Sequence, residues 1–290
     1  MARLNLGLDA YSPREVSEKI ESVGVAKARL GFLQTAMLAI LAGAFIGLGA
    51  LFYTLVASDS TLGFAATRVL GGLVFSLGLV LVTVGGAELF TGNNLMAMAW
   101  AERRIRSSEL LRNWAIVFVG NAVGAIGLAV LVYLSHHGAM NGGAVGAAYV
   151  KIAAAKTALP FGEAFFKGML CNLLVCLGVW LAMAGRSVVD KVVGIVFPIS
   201  AFVAAGFEHS VANMYFIPLG IFFADSAGTA AGVDTTSLGW SGFVSNLIPV
   251  TLGNVVGGSV TVALVYHFIY RRPALIEGRT GTERTRDSDF

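Results

Sequence analysis

The sequence predicts an all-α integral membrane protein of six transmembrane helices, and three observations predict it. Of its 290 residues, 56% are hydrophobic and 13% are charged, against about 25% charged and 45–50% apolar, glycine included, in soluble domains. Six apolar runs, at roughly 30–56, 66–101, 112–135, 161–184, 191–223 and 244–270, each reach the ~20 residues a helix needs to cross a bilayer. The second and fifth runs are too long for one straight crossing, and each holds an interruption rich in glycine and polar groups, GGAELFTGNN at 85–94 and GFEHSVAN at 206–213. The composition excludes a soluble enzyme, a nucleic-acid binder and a secreted disulfide scaffold, because so much apolar surface has no place in a water-facing fold of this size. A net charge of +3 implies no acidic partner.

From the N-terminus, residues 1–29 form a polar segment in which Ser12-Pro13-Arg14-Glu15 reads as a capping box with proline at the first helical position. Val16, Ile20 and Val23 follow on one face, which predicts a short amphipathic helix on the inner leaflet. Residues 30–272 hold the membrane domain. Its positive charges cluster in the N-terminal segment, in the second connection (Arg103, Arg104, Arg106, Arg112), in the fourth (Arg186, Lys191) and after the last span. Arg68, Lys151 and Lys156 lie on the other side, so both termini are expected in the cytoplasm. Cys171 and Cys176 share one apolar run and read as buried free thiols. Residues 273–290, rich in charge and threonine, read as a disordered cytoplasmic tail.

The chain repeats itself. Gly86, Glu88 and Asn93 recur as Gly206, Glu208 and Asn213 at an offset of 120. Asn113, Gly120, Asn121, Gly124 and Leu131-Val132-Tyr133 recur as Asn246, Gly253, Asn254, Gly257 and Leu264-Val265-Tyr266 at an offset of 133. The two halves, about 30–135 and 161–270, hold three spans each. An odd number sends the second half through the membrane in the opposite sense, an inverted 3+3 repeat with broken helices 2 and 5 meeting near the midplane. Irregular backbone at that depth must be buried in protein or line a cavity, so the two breaks are expected to build a pore or transport site.

Glu88, Glu208 and His209 are costly at that depth. The recurring glutamates, with Asn93 and Asn213, are assigned to holding the broken helices together, the glutamates by accepting bonds from freed backbone N–H groups. His209 has no counterpart, since Leu89 takes its place in the first half. It is assigned to the pathway, because imidazole holds or releases a proton near neutral pH and offers a small anion a donor. Thr91 is a second donor from the facing break. Lys167 lies inside the fourth span one turn after Glu163; it either snorkels or pairs there, or else joins Lys156 in raising anion concentration at the outer mouth. The G-x-x-x-G spacings at Gly43/Gly47, Gly120/Gly124 and Gly253/Gly257 read as helix-packing faces. Gly239-Trp240-Ser241-Gly242 has a protease-like form, but its possible partner His267 lies 26 residues on, roughly 39 Å along a helix. No cofactor loop or metal-ligand spacing is present, and an enzyme is not expected.

The sequence resembles the formate/nitrite transporter family. The resemblance rests on Gly-Ala-Glu-Leu-Phe-Thr-Gly-Asn at 86–93, Lys-Gly-Met-Leu-Cys-Asn-Leu-Leu-Val-Cys at 167–176, Gly-Phe-Glu-His-Ser-Val-Ala-Asn-Met at 206–214 and Asn-Leu-Ile-Pro-Val-Thr-Leu-Gly-Asn at 246–254. It implies a homopentamer in a bacterial cytoplasmic membrane, with an aquaporin-like protomer and one pore in each. It also implies that Phe75 and Leu79 form a cytoplasmic-side constriction, accompanied by Leu89, with Phe202 on the periplasmic side. His209 is then the central histidine with Thr91 across the pore, Asn172 lines the pore, Lys156 stands at the periplasmic entrance and Asn254 lies near the first break. Phe75-Ser76-Leu77-Gly78-Leu79 and the Phe202 region resemble the formate branch, whereas Thr91-Gly92-Asn93 and Phe166-Lys167-Gly168 resemble the nitrite branch. Formate is the expected substrate, with nitrite or hydrosulfide as the alternative. A channel for a neutral solute such as water, glycerol or ammonia is a weaker one, since the paired Asn-Pro-Ala breaks of aquaporins are missing.

Overall fold

The structure is a computed structural model describing residues 10–59, 61–224 and 232–271; the 273–290 tail lies outside the described residues. Among these residues there are helices and no strands, and six helices are long and apolar enough to cross a membrane. In chain order they are α1 (Pro13–Ala28), α2 (Phe32–Ala57), α3 (Phe64–Phe75), α4 (Leu77–Gly85), α5 (Phe90–Asn93), α6 (Ala97–Ala101) and α7 (Ser107–Leu134). There follow α8 (Ala144–Thr157), α9 (Phe161–Ala184), α10 (Val188–Ala205), α11 (Ser210–Ala224), α12 (Trp240–Val255) and α13 (Val265–Tyr270). A π-helical stretch, Val256–Leu264, joins the last two into one long span.

The capping box starts α1: the Ser12 amide donates to Glu15 Oε2 at 2.8 Å, and the Glu15 amide donates to Ser12 Oγ at 3.4 Å. Its apolar face does not rest on lipid. Val16 and Ile20 are buried against Leu95, Met98 and Trp180, so α1 covers one end of the bundle. Protein, rather than a leaflet, is the better apolar partner because it is already shaped to the helix. A second helix, α8, occupies the connection between the third and fourth spans. It is rich in alanine, and no amphipathic pattern betrays it in the sequence.

The helical path stops twice. After α4 the chain is non-helical from 86 to 89, with Gly86 at φ +84°. After α10 it is non-helical from 206 to 209, with Gly206 at φ +76°. Glycine takes this left-handed conformation without steric cost, which is why each break begins on one. Around the breaks, α2 packs on α7 and α9 on α12. At Gly124 the α2 backbone comes so close that a Cβ would overlap Ile40, and at Gly257 a Cβ would overlap Met169 of α9. These are close-packed helix pairs of the small-residue kind. Outside, large apolar residues stand exposed, including Phe64 at 83%, Leu33 at 73% and Phe197 at 71%. Water would not tolerate such a surface over a whole molecule; a bilayer or a neighbouring protein would.

Candidate functional site

Each break is fastened by a lysine, a glutamate and two asparagines in closely similar bonding, with one bond, Lys27 to Asn93, made at the first break alone among the described residues. At the first, Lys27 of α1 donates to Glu88 at 2.7 Å and to Asn93 Oδ1 at 2.8 Å. Asn93 Nδ2 donates to Glu88 at 2.7 Å and to Asn113 at 2.9 Å, and Asn113 returns to the Lys27 carbonyl at 3.5 Å. At the second, Lys156 of α8 donates to Glu208 at 2.9 Å, and Asn213 donates to Glu208 at 2.6 Å and to Asn246 at 2.7 Å. Asn246 returns to the Lys156 carbonyl at 2.8 Å.

The glutamates therefore take side-chain donors, not the freed backbone N–H groups expected of them. That task falls to two other asparagines. Asn121 accepts from the Phe90 amide at 2.9 Å and donates to Ala39 O at 2.7 Å and Glu88 O at 2.9 Å. Asn254 accepts from the Ser210 amide at 2.9 Å and donates to Gly168 O at 2.8 Å and Glu208 O at 3.0 Å. Asn254 thus serves the second break and not the first. A side-chain amide suits this work because it offers a donor and an acceptor side by side, the two groups an interrupted helix leaves open. Lys27, Asn113, Asn121 and Asn246 were not singled out as site residues from the sequence. The offset of 133 pairs Asn113 with Asn246 and Asn121 with Asn254, and that pairing was the available signal for the three asparagines.

Asn172 is fully buried and does not line the cavities described below. Its Nδ2 donates to Asn94 Oδ1 and Asn254 O, both at 2.7 Å, with Thr91 O at 3.2 Å. Cys176 Sγ also meets Thr91 O, at 3.4 Å. Asn172 of α9 therefore ties the segment after the first break to α12, whose Asn254 closes the second.

Two vestibules approach each other through the bundle. The one under α1 has a volume of about 360 Å³ and is lined by Lys27, Leu79, Glu88 and Leu89 among others. The one on the α8 side has about 460 Å³ and is lined by Arg68, Phe75, Lys156, Lys167, Phe202 and His209 among others. Between them lies a void of about 10 Å³ walled by Ile46, Phe75, Leu79, Leu89, Val175, Ile199, Phe202 and His209. Among the described residues the imidazole is the only polar side chain in that wall. Phe75 belongs with Phe202 on the α8 side, their rings edge to face at 5.7 Å, while Leu79 pairs with Leu89 on the α1 side. The grouping of Phe75 with Leu79 is corrected accordingly. Ser76, in right-handed helical conformation, links α3 to α4 within one span, so Leu79 lies about one turn, ~6 Å, further along it than Phe75.

His209 stacks on Phe202 at 5.9 Å. Its Nδ1 accepts the Ala212 amide at 3.0 Å, and its Nε2 lies 2.9 Å from Thr91 Oγ1. A backbone amide only donates, so the neutral ring carries its proton on Nε2 and donates to Thr91. Thr91 itself is fully buried and lines none of the three cavities; it reaches the neck through His209. Lys156 is held by Glu208. Lys167 meets Glu163 at 2.6 Å, so it both pairs along its helix and lines the vestibule.

Six apolar spans enclosing two vestibules and a short apolar neck define a membrane transport protein, with no constellation suited to an enzyme among the described residues. The family model described as formate/nitrite transporter matches residues 14–268, and the chain belongs to that family. It is 41% identical over 273 residues to a formate channel of Escherichia coli K12, covering 91% of this chain and 96% of the relative. It is 38% identical to a probable formate transporter of Methanothermobacter thermautotrophicus, covering 91% and 99%. Among solved structures it is similar to a pentameric formate channel with formate bound, at TM-score 0.75 and 38% identity over 82% of this chain and 97% of that one. It is also similar to an ion channel of the same family, at TM-score 0.77 and 30% identity over 88% and 98%.

Proposed function

We propose that the chain passes formate across a bacterial cytoplasmic membrane through a pore in each protomer. The observation that carries this reading is the neck between the vestibules, apolar on every side but for His209. An anion entering it loses most of its water, and an unpaired charge in such surroundings is costly. His209 is the donor at that point: its Nε2–H rests on the buried Thr91 Oγ1 and turns from it to meet a carboxylate of one carbon. Relatives named as formate channels and transporters support the substrate. The exposed apolar surface and the pentameric relative support a homopentamer in lipid. The positive-charge bias supports a cytoplasmic α1 face and termini, and the matched fastening of the two breaks supports an inverted repeat.

In this reading His209 acts by hydrogen bonding from Nε2, with its Nδ1 anchored on the Ala212 amide. Full proton transfer, from an imidazolium to the carboxylate with later reprotonation from vestibule water, requires that anchor to open. Lys156 and Lys167 line the approach, and Phe75, Leu79, Leu89 and Phe202 filter the anion. In proteoliposomes the protein is expected to carry formate, and His209→Phe to abolish most of that flux. Undiminished flux in this variant would sink the role given to the ring. Internal pH recorded in the same assay separates the two versions, since only proton transfer acidifies the lumen as formate enters.

The family description also names nitrite, and this favours a second reading in which nitrite shares the pore. Nitrite uptake that formate does not inhibit would exclude a common path.

A further inference from the structure

We propose that Arg68 is the anion-capturing residue of the α8-side vestibule, a part assigned above only to lysines. This rests on the reading of the pore as a formate path. The two vestibules differ in charge. Lys27 and Glu88 line the first and neutralise each other at 2.7 Å. Arg68, Lys156 and Lys167 line the second, where Lys156 is spent on Glu208 and Lys167 on Glu163. Among the described residues Arg68 meets no carboxylate, so its charge is the one left to the cavity.

Its position explains how a bare cation is held there. Arg68 Nε donates to Ala204 O at 2.8 Å and Nη2 to Val203 O at 2.9 Å, the last carbonyls of α10 before the second break. Nη1 donates to the Tyr53 hydroxyl at 3.2 Å. The end of a helix carries a partial negative charge on such carbonyls, which stabilises the guanidinium. That wall would otherwise repel an anion on its way to His209; with Arg68 across it, the wall attracts. Three of the five guanidinium N–H groups are used, leaving two for an incoming carboxylate. Gly206 keeps the site open, because a Cβ there would lie 2.7 Å from Nη2.

The test is formate current through the full-length protein in planar bilayers, with formate added to one side at a time over a series of ionic strengths. Arg68→Gln should raise the half-saturating formate concentration about threefold at low salt, the effect of a unit charge ~6 Å away across water. The rise should appear from one side only and fade with added salt. Arg68→Lys, which keeps the charge but not the paired carbonyl contacts, should stay close to wild type. A half-saturation and salt dependence unchanged in Arg68→Gln overturn the proposal. So does an equal fall in maximal current in both variants with the salt dependence intact, which leaves Arg68 as a helix cap. A wild-type protein silent to formate overturns the substrate itself, and this assignment with it.

Discussion

The two breaks are alike where the chain is fastened and unlike where it faces the pathway. Lysine, glutamate and two asparagines recur with the same bonds but for Lys27 to Asn93, and a further asparagine in each half closes the open backbone groups. Facing the neck, the first break offers Leu89 and the second His209. The vestibules diverge in the same way, one electrically balanced and one cationic. Repetition marks the parts that fasten irregular backbone; departure from it falls at the residues that wall the neck.

The comparison breaks first at the buried ion pairs. Glu208→Leu strands Lys156, whose side chain is 14% exposed, and should cost about 3–5 kcal/mol, read as loss of the intact protein in detergent. Glu88→Leu strands Lys27, which at 24% exposed has more access to water, and should cost measurably less. Equal losses would show that the two fastenings do not differ in burial as they do here.

Next come the asparagines. Asn254→Leu and Asn121→Leu each remove three bonds and leave a buried amide and carbonyls unmet, an expected cost of about 2–3 kcal/mol in thermal unfolding. Matching values in the two variants would sharpen the equivalence of the halves.

Phe202→Ala removes the edge-to-face partner of Phe75 and the face on which His209 stacks. Larger monocarboxylates such as acetate should then gain flux relative to formate in competition assays, whereas Leu79→Ala, on the opposite side of the neck, should leave the ring of His209 in place and alter selectivity less. The smallest effect is expected at Lys167→Met. Its partner Glu163 is half exposed, and such pairs contribute about 0–1 kcal/mol; thermal unfolding should barely move.

Much of this was legible in the chain. Apolar runs of crossing length, glycines where a helix must stop, and one histidine without a counterpart are local features, and local features survive reading in one dimension. The glutamates of the two breaks stand out in the sequence, but the side-chain donors that bond them do not. Lys27 lies 61 residues from Glu88, and Arg68 lies 136 residues from Ala204. No periodicity announces contacts at such separations. The N-terminal helix was expected on lipid because amphipathicity shows that a helix has an apolar side without showing what will cover it.

By itself the sequence determined that this protein lives in a bilayer, where its helices break, and which polar groups must be buried, because hydrophobic transfer and backbone satisfaction act on every residue wherever it goes. Only the tertiary structure decided that Asn172 bonds Asn94 and the Asn254 carbonyl, that Phe75 packs on Phe202, and that Arg68 meets backbone carbonyls where the neighbouring lysines meet carboxylates. Those outcomes depend on which distant groups come within about 3 Å of one another, the range over which hydrogen bonds and ion pairs discriminate, and packing alone sets that.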